Sequence, residues 1–165
     1  MAAGSTYTPI ATTTLGSSQT SYTFSSIPST YTDIILIASI VTNATYGGLG
    51  VRVNGDTGTT YSTTFLYGTG SAAGSNRYSS QTQAYVYDST VQNQTSPVVY
   101  QFQNYANSST YKTFIGRWNA TGSGDNVAAS VSLWRNTAAI NSITLLSNGA
   151  WQAGTQFTLY GIQAA

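Results

Sequence analysis

The sequence contains no cysteine, no histidine and no glutamate; its four acidic residues are all aspartates. Lack of Cys excludes thiol chemistry and disulfide staples, and lack of His excludes imidazole catalysis and the common zinc sites. Charge is nearly absent as well: 5% of residues are charged, against ~25% in an ordinary soluble domain. The five cations, Arg52, Arg77, Lys112, Arg117 and Arg135, are scattered, and the formal net charge is +1. Binding a phosphate backbone needs clustered cations, so no nucleic-acid partner is expected. The longest apolar run, Ile34 to Val41, falls far short of the ~20 residues of a spanning helix, so no membrane partner is expected either. Met1 to Ser5 shows neither the basic patch nor the apolar stretch of a secretory signal, which points to synthesis in a cytoplasm.

What remains is rich in strand formers. The 165 residues include 13 Tyr, 5 Phe and 3 Trp, so this is no disordered chain, and the length suits one domain with a real core. Val, Ile, Thr, Tyr and Phe fill segments separated by turn residues such as Leu15-Gly16-Ser17, Asn54-Gly55-Asp56 and Asn148-Gly149. The pattern predicts strands over 7–14, 20–26, 32–42, 49–54, 60–67, 81–88, 97–105, 110–119, 127–135, 140–147 and 155–162. Many short strands at this spacing imply an all-β, single-domain, jelly-roll-like β-sandwich. Residues 1–15 are read as an N-terminal arm or edge strand and 16–165 as the sandwich domain, with Gly68 to Ser80 as a surface loop of small and polar residues.

Alternation assigns faces. In 127–134, Val127, Ala129, Val131 and Leu133 are expected in the core, which sends Ser130, Ser132 and Trp134 outward. In 61–67, one face carries Tyr61, Phe65 and Tyr67. The 34–41 run does not alternate and reads as a central strand covered on both sides, with Ile35, Leu36 and Ile37 buried.

Motifs for catalysis are lacking. Asp33, Asp56, Asp88 and Asp125 stand at strand ends or in turns, where Asx-turn bonding accounts for Asp. Two of them converging would suit glycoside hydrolysis, but no nucleophile motif surrounds the single lysine, Lys112. The expectation is no enzyme, no cofactor and no metal. Asn54 and Asp56 read as a structural turn, with calcium as the weaker alternative because one carboxylate does not make a calcium loop. Trp134, Tyr78, Tyr85 and Tyr87 are the candidates for an interface or ligand surface, since Tyr and Trp both anchor protein contacts and stack on sugar rings. As an outward anchor, Trp134 could be removed with the fold left largely intact.

Five strings carry a resemblance. They are Phe24-Ser25-Ser26-Ile27-Pro28-Ser29-Thr30-Tyr31-Thr32-Asp33-Ile34, Arg52-Val53-Asn54-Gly55-Asp56-Thr57-Gly58, Asn104-Tyr105-Ala106-Asn107, Ala139-Ile140-Asn141-Ser142-Ile143-Thr144-Leu145, and the closing Gly154-Thr155-Gln156-Phe157-Thr158-Leu159-Tyr160-Gly161-Ile162. In this order they resemble small virion structural proteins of tailed bacteriophages, notably phages of aquatic bacteria and cyanobacteria. The resemblance implies a β-sandwich on the virion surface and transfers no catalytic motif. Two placements compete. A capsid decoration (cement) protein would bind the phage major capsid protein as a homotrimer and stabilise contacts between capsid subunits. A tail-fibre or receptor-binding head would present aromatics to host polysaccharide. The β-pattern is under way by Tyr7 with no heptad stalk before it, which favours decoration.

Overall fold

The computed structural model describes residues 6–43, 48–86, 93–119 and 127–163, which hold twelve strands and no helix. They are β1 (Tyr7–Thr14), β2 (Gln19–Phe24), β3 (Asp33–Val41), β4 (Leu49–Val53), β5 (Tyr61–Gly68) and β6 (Ala73–Gln81). The chain continues through β7 (Ala84–Val86), β8 (Thr95–Gln103), β9 (Lys112–Asn119), β10 (Val127–Trp134), β11 (Ile143–Trp151) and β12 (Gln156–Ile162). Eight form one sheet in the order β1-β12-β3-β8-β9-β10-β5-β6, and four form a second in the order β2-β11-β4-β7. All pairings are antiparallel, so the fold is the β-sandwich that the alternation implies. β1 pairs with β12 at one edge of the large sheet.

The core lies between the sheets. The large sheet supplies Ile34, Leu36, Ile40, Tyr100, Phe102, Phe114, Trp134, Phe157 and Leu159; the small one supplies Phe24, Val51, Val53, Ile143, Leu145 and Trp151, all buried. Burying one large apolar side chain contributes ~1.5–3 kcal/mol, so this layer outweighs any single polar contact. Phe102 and Phe114 sit 4.8 Å apart, with Tyr100 5.3 Å from Phe102. Gly116 makes room for this cluster: a Cβ there would come within 2.6 Å of the Tyr100 ring.

Four expectations are corrected. β10 faces the other way: Val127 and Val131 are exposed at 59% and 54%, whereas Ser130, Ser132 and Trp134 are buried. The cause is polar bridging between the sheets. Ser132 Oγ lies 2.7 Å from Thr63 Oγ1 and 2.8 Å from Tyr100 OH, and Thr63 Oγ1 accepts from Tyr85 N–H of the small sheet. These bonds satisfy the Ser132, Thr63 and Tyr100 hydroxyls and help make the serine face an interior face. Second, 73–81 of the expected loop is strand β6, ordered by its ladder with β5 rather than by its own residues. Third, Ile37 is 43% exposed, while Ile35 is buried. Fourth, it follows that β3 is central in its sheet but covered by the second sheet on one face only, the face of Ile34, Leu36, Ala38 and Ile40. Tyr61 and Phe65 share the buried face of β5 as expected.

Candidate functional site

Each sequence candidate has a defined place, except Tyr87, which with Asp88 and Asp125 lies outside the described residues. Trp134 is not a surface anchor. Its indole is fully buried, stacks 6.3 Å from the Tyr61 ring, and donates from Nε1 to Asp56 Oδ2 at 2.6 Å. The Asp56 carboxylate also accepts from Gly58 N–H at 2.8 Å and Thr60 Oγ1 at 2.9 Å. Partial burial pushes the Asp56 pKa up, but the bonds from Trp134, Gly58 and Thr60, helped by the charge of Arg52, outweigh it and hold the carboxyl below its ordinary value.

Asn54 and Gly55 both have positive φ, 51° and 66°, and Asp56 N–H closes the turn on Val53 O at 3.0 Å. This is the primed turn that Asn-Gly encodes. The Asn54 amide donates to Ala139 O at 2.8 Å and accepts from Asn141 and Ser142 N–H. Both side chains of the weak metal candidate are therefore spent on tying 53–60 to β10 and to the 139–142 segment. Among the described residues no three Asp side chains come together. Asp33, the other described carboxylate, accepts from Gln101 Nε2 and Asn104 N–H.

Lys112, which sequence reasoning passed over except as a failed nucleophile partner, is 1% exposed. Its ammonium donates to Thr110 O at 2.7 Å and Thr137 O at 2.9 Å, and burial lowers its pKa. It joins the start of β9 to the segment after β10.

Two surface features remain. The first is the outer face of the large sheet. Strand register sets Ile37, Val99, Arg117, Ala129 and Leu66 in one cross-strand row, and Ile35, Gln101, Ile115, Val131 and Thr64 in the next. Leu66 is 62% exposed, and with Val127 and Val131 it forms an apolar surface that water-facing sheets normally avoid. Shallow hollows lie in it. One of about 370 Å³ is bounded by Leu66, Gly68, Arg117, Val127 and Ala129, and one of about 290 Å³ by Thr64, Leu66, Ile115, Ala129 and Val131. Arg77 and Arg117 are the cations beside it, both exposed.

The second feature is a cleft at the sandwich edge where β6 and β7 end their respective sheets. Tyr78 and Tyr85 meet there, ring centroids 5.7 Å apart, with Gln81 and Asn148 completing a hollow of about 240 Å³. Two of the four aromatic candidates thus come together. Their 78/85 spacing gave no hint of it, because the contact joins the edges of different sheets.

No family model matches the sequence, and no curated protein does. Among solved structures, the chain is similar to exo-inulinase from Aspergillus awamori, at 11% identity and a TM-score of 0.48, over 94% of this chain but 29% of that one. It is also similar to toad ovary galectin in complex with thio-digalactose, at 11% identity and a TM-score of 0.40, over 86% of this chain and 98% of that one. Galectin LEC-6 of Caenorhabditis elegans follows at 10% identity and a TM-score of 0.35, covering 91% and 95%. At these identities the likeness concerns the sandwich architecture alone.

Proposed function

We propose that this protein is a non-enzymatic virion structural protein of the capsid decoration type. It docks on the phage major capsid protein through the outer face of its eight-stranded sheet. The observation that carries this reading is the apolar surface of Leu66, Val127 and Val131, each more than half exposed on a rigid sheet. Covering such a surface is favourable by ~25 cal/mol per Å² of apolar area, and a specific contact of ~1,200–2,000 Å² needs few charges at its centre. The row register sets Arg117 opposite Ala129 and Arg77 opposite Thr64, beside that centre. Two copies packed face to face would bring these cations together, so a different protein with an apolar centre and neutral or acidic rim fits better. The resemblance to phage virion proteins supplies the kind of partner, and a homotrimer on three-fold positions is the assembly it implies. Among the described residues, the non-enzymatic reading is supported by Asp33 and Asp56, whose carboxylates are engaged by neighbouring donors.

The test is occupancy. Leu66→Asp with Val131→Asp puts two charges on the face without touching the core, and should cut binding to capsids lacking the protein at least tenfold. Equal occupancy by wild type and variant would reject this face as the docking surface. The alternative placement, a fibre or receptor-binding head, predicts that stripped capsids bind neither protein.

A further inference from the structure

A bulge in β6 gives the edge cleft its shape. Register runs Tyr61↔Gln81 and then Thr63↔Tyr78, so β6 spends one more residue than β5 between these pairs. Ser80 absorbs the extra residue at φ 54°, a left-handed conformation that a serine adopts at a cost. In a regular strand, residues 78 and 81 would point to opposite faces. The bulge instead sets both opposite core-facing partners, so Tyr78 and Gln81 turn to the same side. Gln81 Nε2 donates to Ser79 O at 2.8 Å, which fixes the amide and presents its carbonyl oxygen. Tyr78 rests on the buried Phe65 ring at 5.6 Å and meets Tyr85 at 5.7 Å, yet keeps 42% of its surface exposed.

The cleft is thus preorganised: anchored aromatic surface, two side-chain amides, and no charged residue among the four described residues that line it. From this geometry we propose that it binds a neutral saccharide, one pyranose ring resting on Tyr78 or Tyr85 while Gln81 and Asn148 bond its hydroxyls. An aromatic face covers the apolar C–H side of a sugar ring, and amides both donate to and accept from vicinal hydroxyls. Its volume of about 240 Å³ is below the ~300–1,000 Å³ of drug-sized sites, which limits the occupant to one ring or chain end. The four described lining residues offer no cation of their own, so an anionic sugar's carboxylate would lose water there without an ion pair from the lining. This site is on a sheet edge rather than on the outer face, so it does not depend on capsid docking and stays open when that face is covered.

The experiment is a titration of the full chain, followed through backbone amide resonances, with the methyl glycosides and linear tetramers of glucose, galactose and mannose. A uronate tetramer serves as the charged control, and a tyrosine- and proline-rich decapeptide as a polypeptide control. At least one neutral sugar should shift Tyr78, Gln81, Tyr85 and Asn148 saturably. Tyr85→Ala should then weaken binding at least tenfold and Gln81→Ala several-fold, both with an unchanged thermal midpoint. If Tyr85→Ala unfolds the chain, Tyr85→Phe and Gln81→Ala carry the test, Tyr85→Phe keeping the ring and most of the affinity. Saturable shifts elsewhere, no shift with any neutral sugar, preference for the uronate, or binding of the peptide alone would each overturn the proposal. None of these outcomes bears on capsid occupancy of the Leu66 and Val131 variant.

Discussion

Replacing Trp134 by Ala removes an indole that is wholly enclosed between the sheets. Three effects add. Emptying a buried aromatic site costs ~3–5 kcal/mol through lost transfer energy and the cavity left behind. Stacking on Tyr61, 6.3 Å away, is lost, worth ~0.5–1.5 kcal/mol beyond area. Asp56 keeps Gly58 and Thr60 but loses the 2.6 Å bond from Nε1; bonds to charged groups are worth ~1.5–3 kcal/mol, less where water can replace the donor. These overlap, so the expected loss is about 4–6 kcal/mol, a large part of the ~5–15 kcal/mol that a domain has. Urea unfolding followed by circular dichroism measures it. Trp134→Phe, which keeps most of the ring, should cost about 1.5–3 kcal/mol through the bond and a smaller cavity.

Acid gives an independent reading of the same bond. The Asp56 pKa is depressed in the fold, so its contribution is present above the unfolded value of 3.8 and is lost as pH falls through the folded value. The gap between wild type and Trp134→Phe should therefore narrow below pH 3.8. A Trp134→Ala variant within about 0.5 kcal/mol of wild type, the range of surface substitutions, would refute the buried placement.

At alkaline pH the sign is reversed. Burial pushes Tyr61 up to about 12 and Tyr100 higher still, so their contribution is intact below the unfolded value of 10.0 and is lost as pH rises towards the folded values. Stability measured from pH 9 to 12 should fall from about 10 upward, and Tyr61→Phe should flatten that fall; a fall unchanged in Tyr61→Phe would exclude Tyr61 as a cause. The Leu66→Asp and Val131→Asp pair should unfold within about 0.5 kcal/mol per site of wild type, because both side chains face outward. A loss of several kcal/mol would place them in a packed contact within the monomer.

Most of the fold was legible in the sequence because strand formers and turn residues alternate so regularly. Asn54-Gly55 dictated its own turn, since both residues accept positive φ. What escaped depends on partners far along the chain. β6 is built of Ala, Gly, Ser, Asn, Arg, Tyr and Gln, and only the β5 ladder makes it a strand. The faces of β10 were inverted because alternation reveals two faces but not which is inside. Ser130, Ser132 and Trp134 turn inward because Thr63, Tyr100 and Asp56 stand ready to bond Ser132 and Trp134. Ile37 misled for the same reason, an apolar residue on a face left open. Of the site, residue type singled out Tyr78 and Tyr85, but Gln81 and Asn148 needed the bulge and the meeting of two sheet edges to join them. The apolar outer surface was not legible in the sequence, since alternation assigned Val127 and Val131 to an expected core and left Leu66 unassigned.

Copy number per virion tests the central claim most directly. Quantitative mass spectrometry of purified particles, with the major capsid protein as internal standard, gives it without any assumption about the contact. Decoration of a capsid lattice predicts hundreds of copies, in fixed proportion to the capsid protein. A few to a few dozen copies would contradict it and place the protein in the tail.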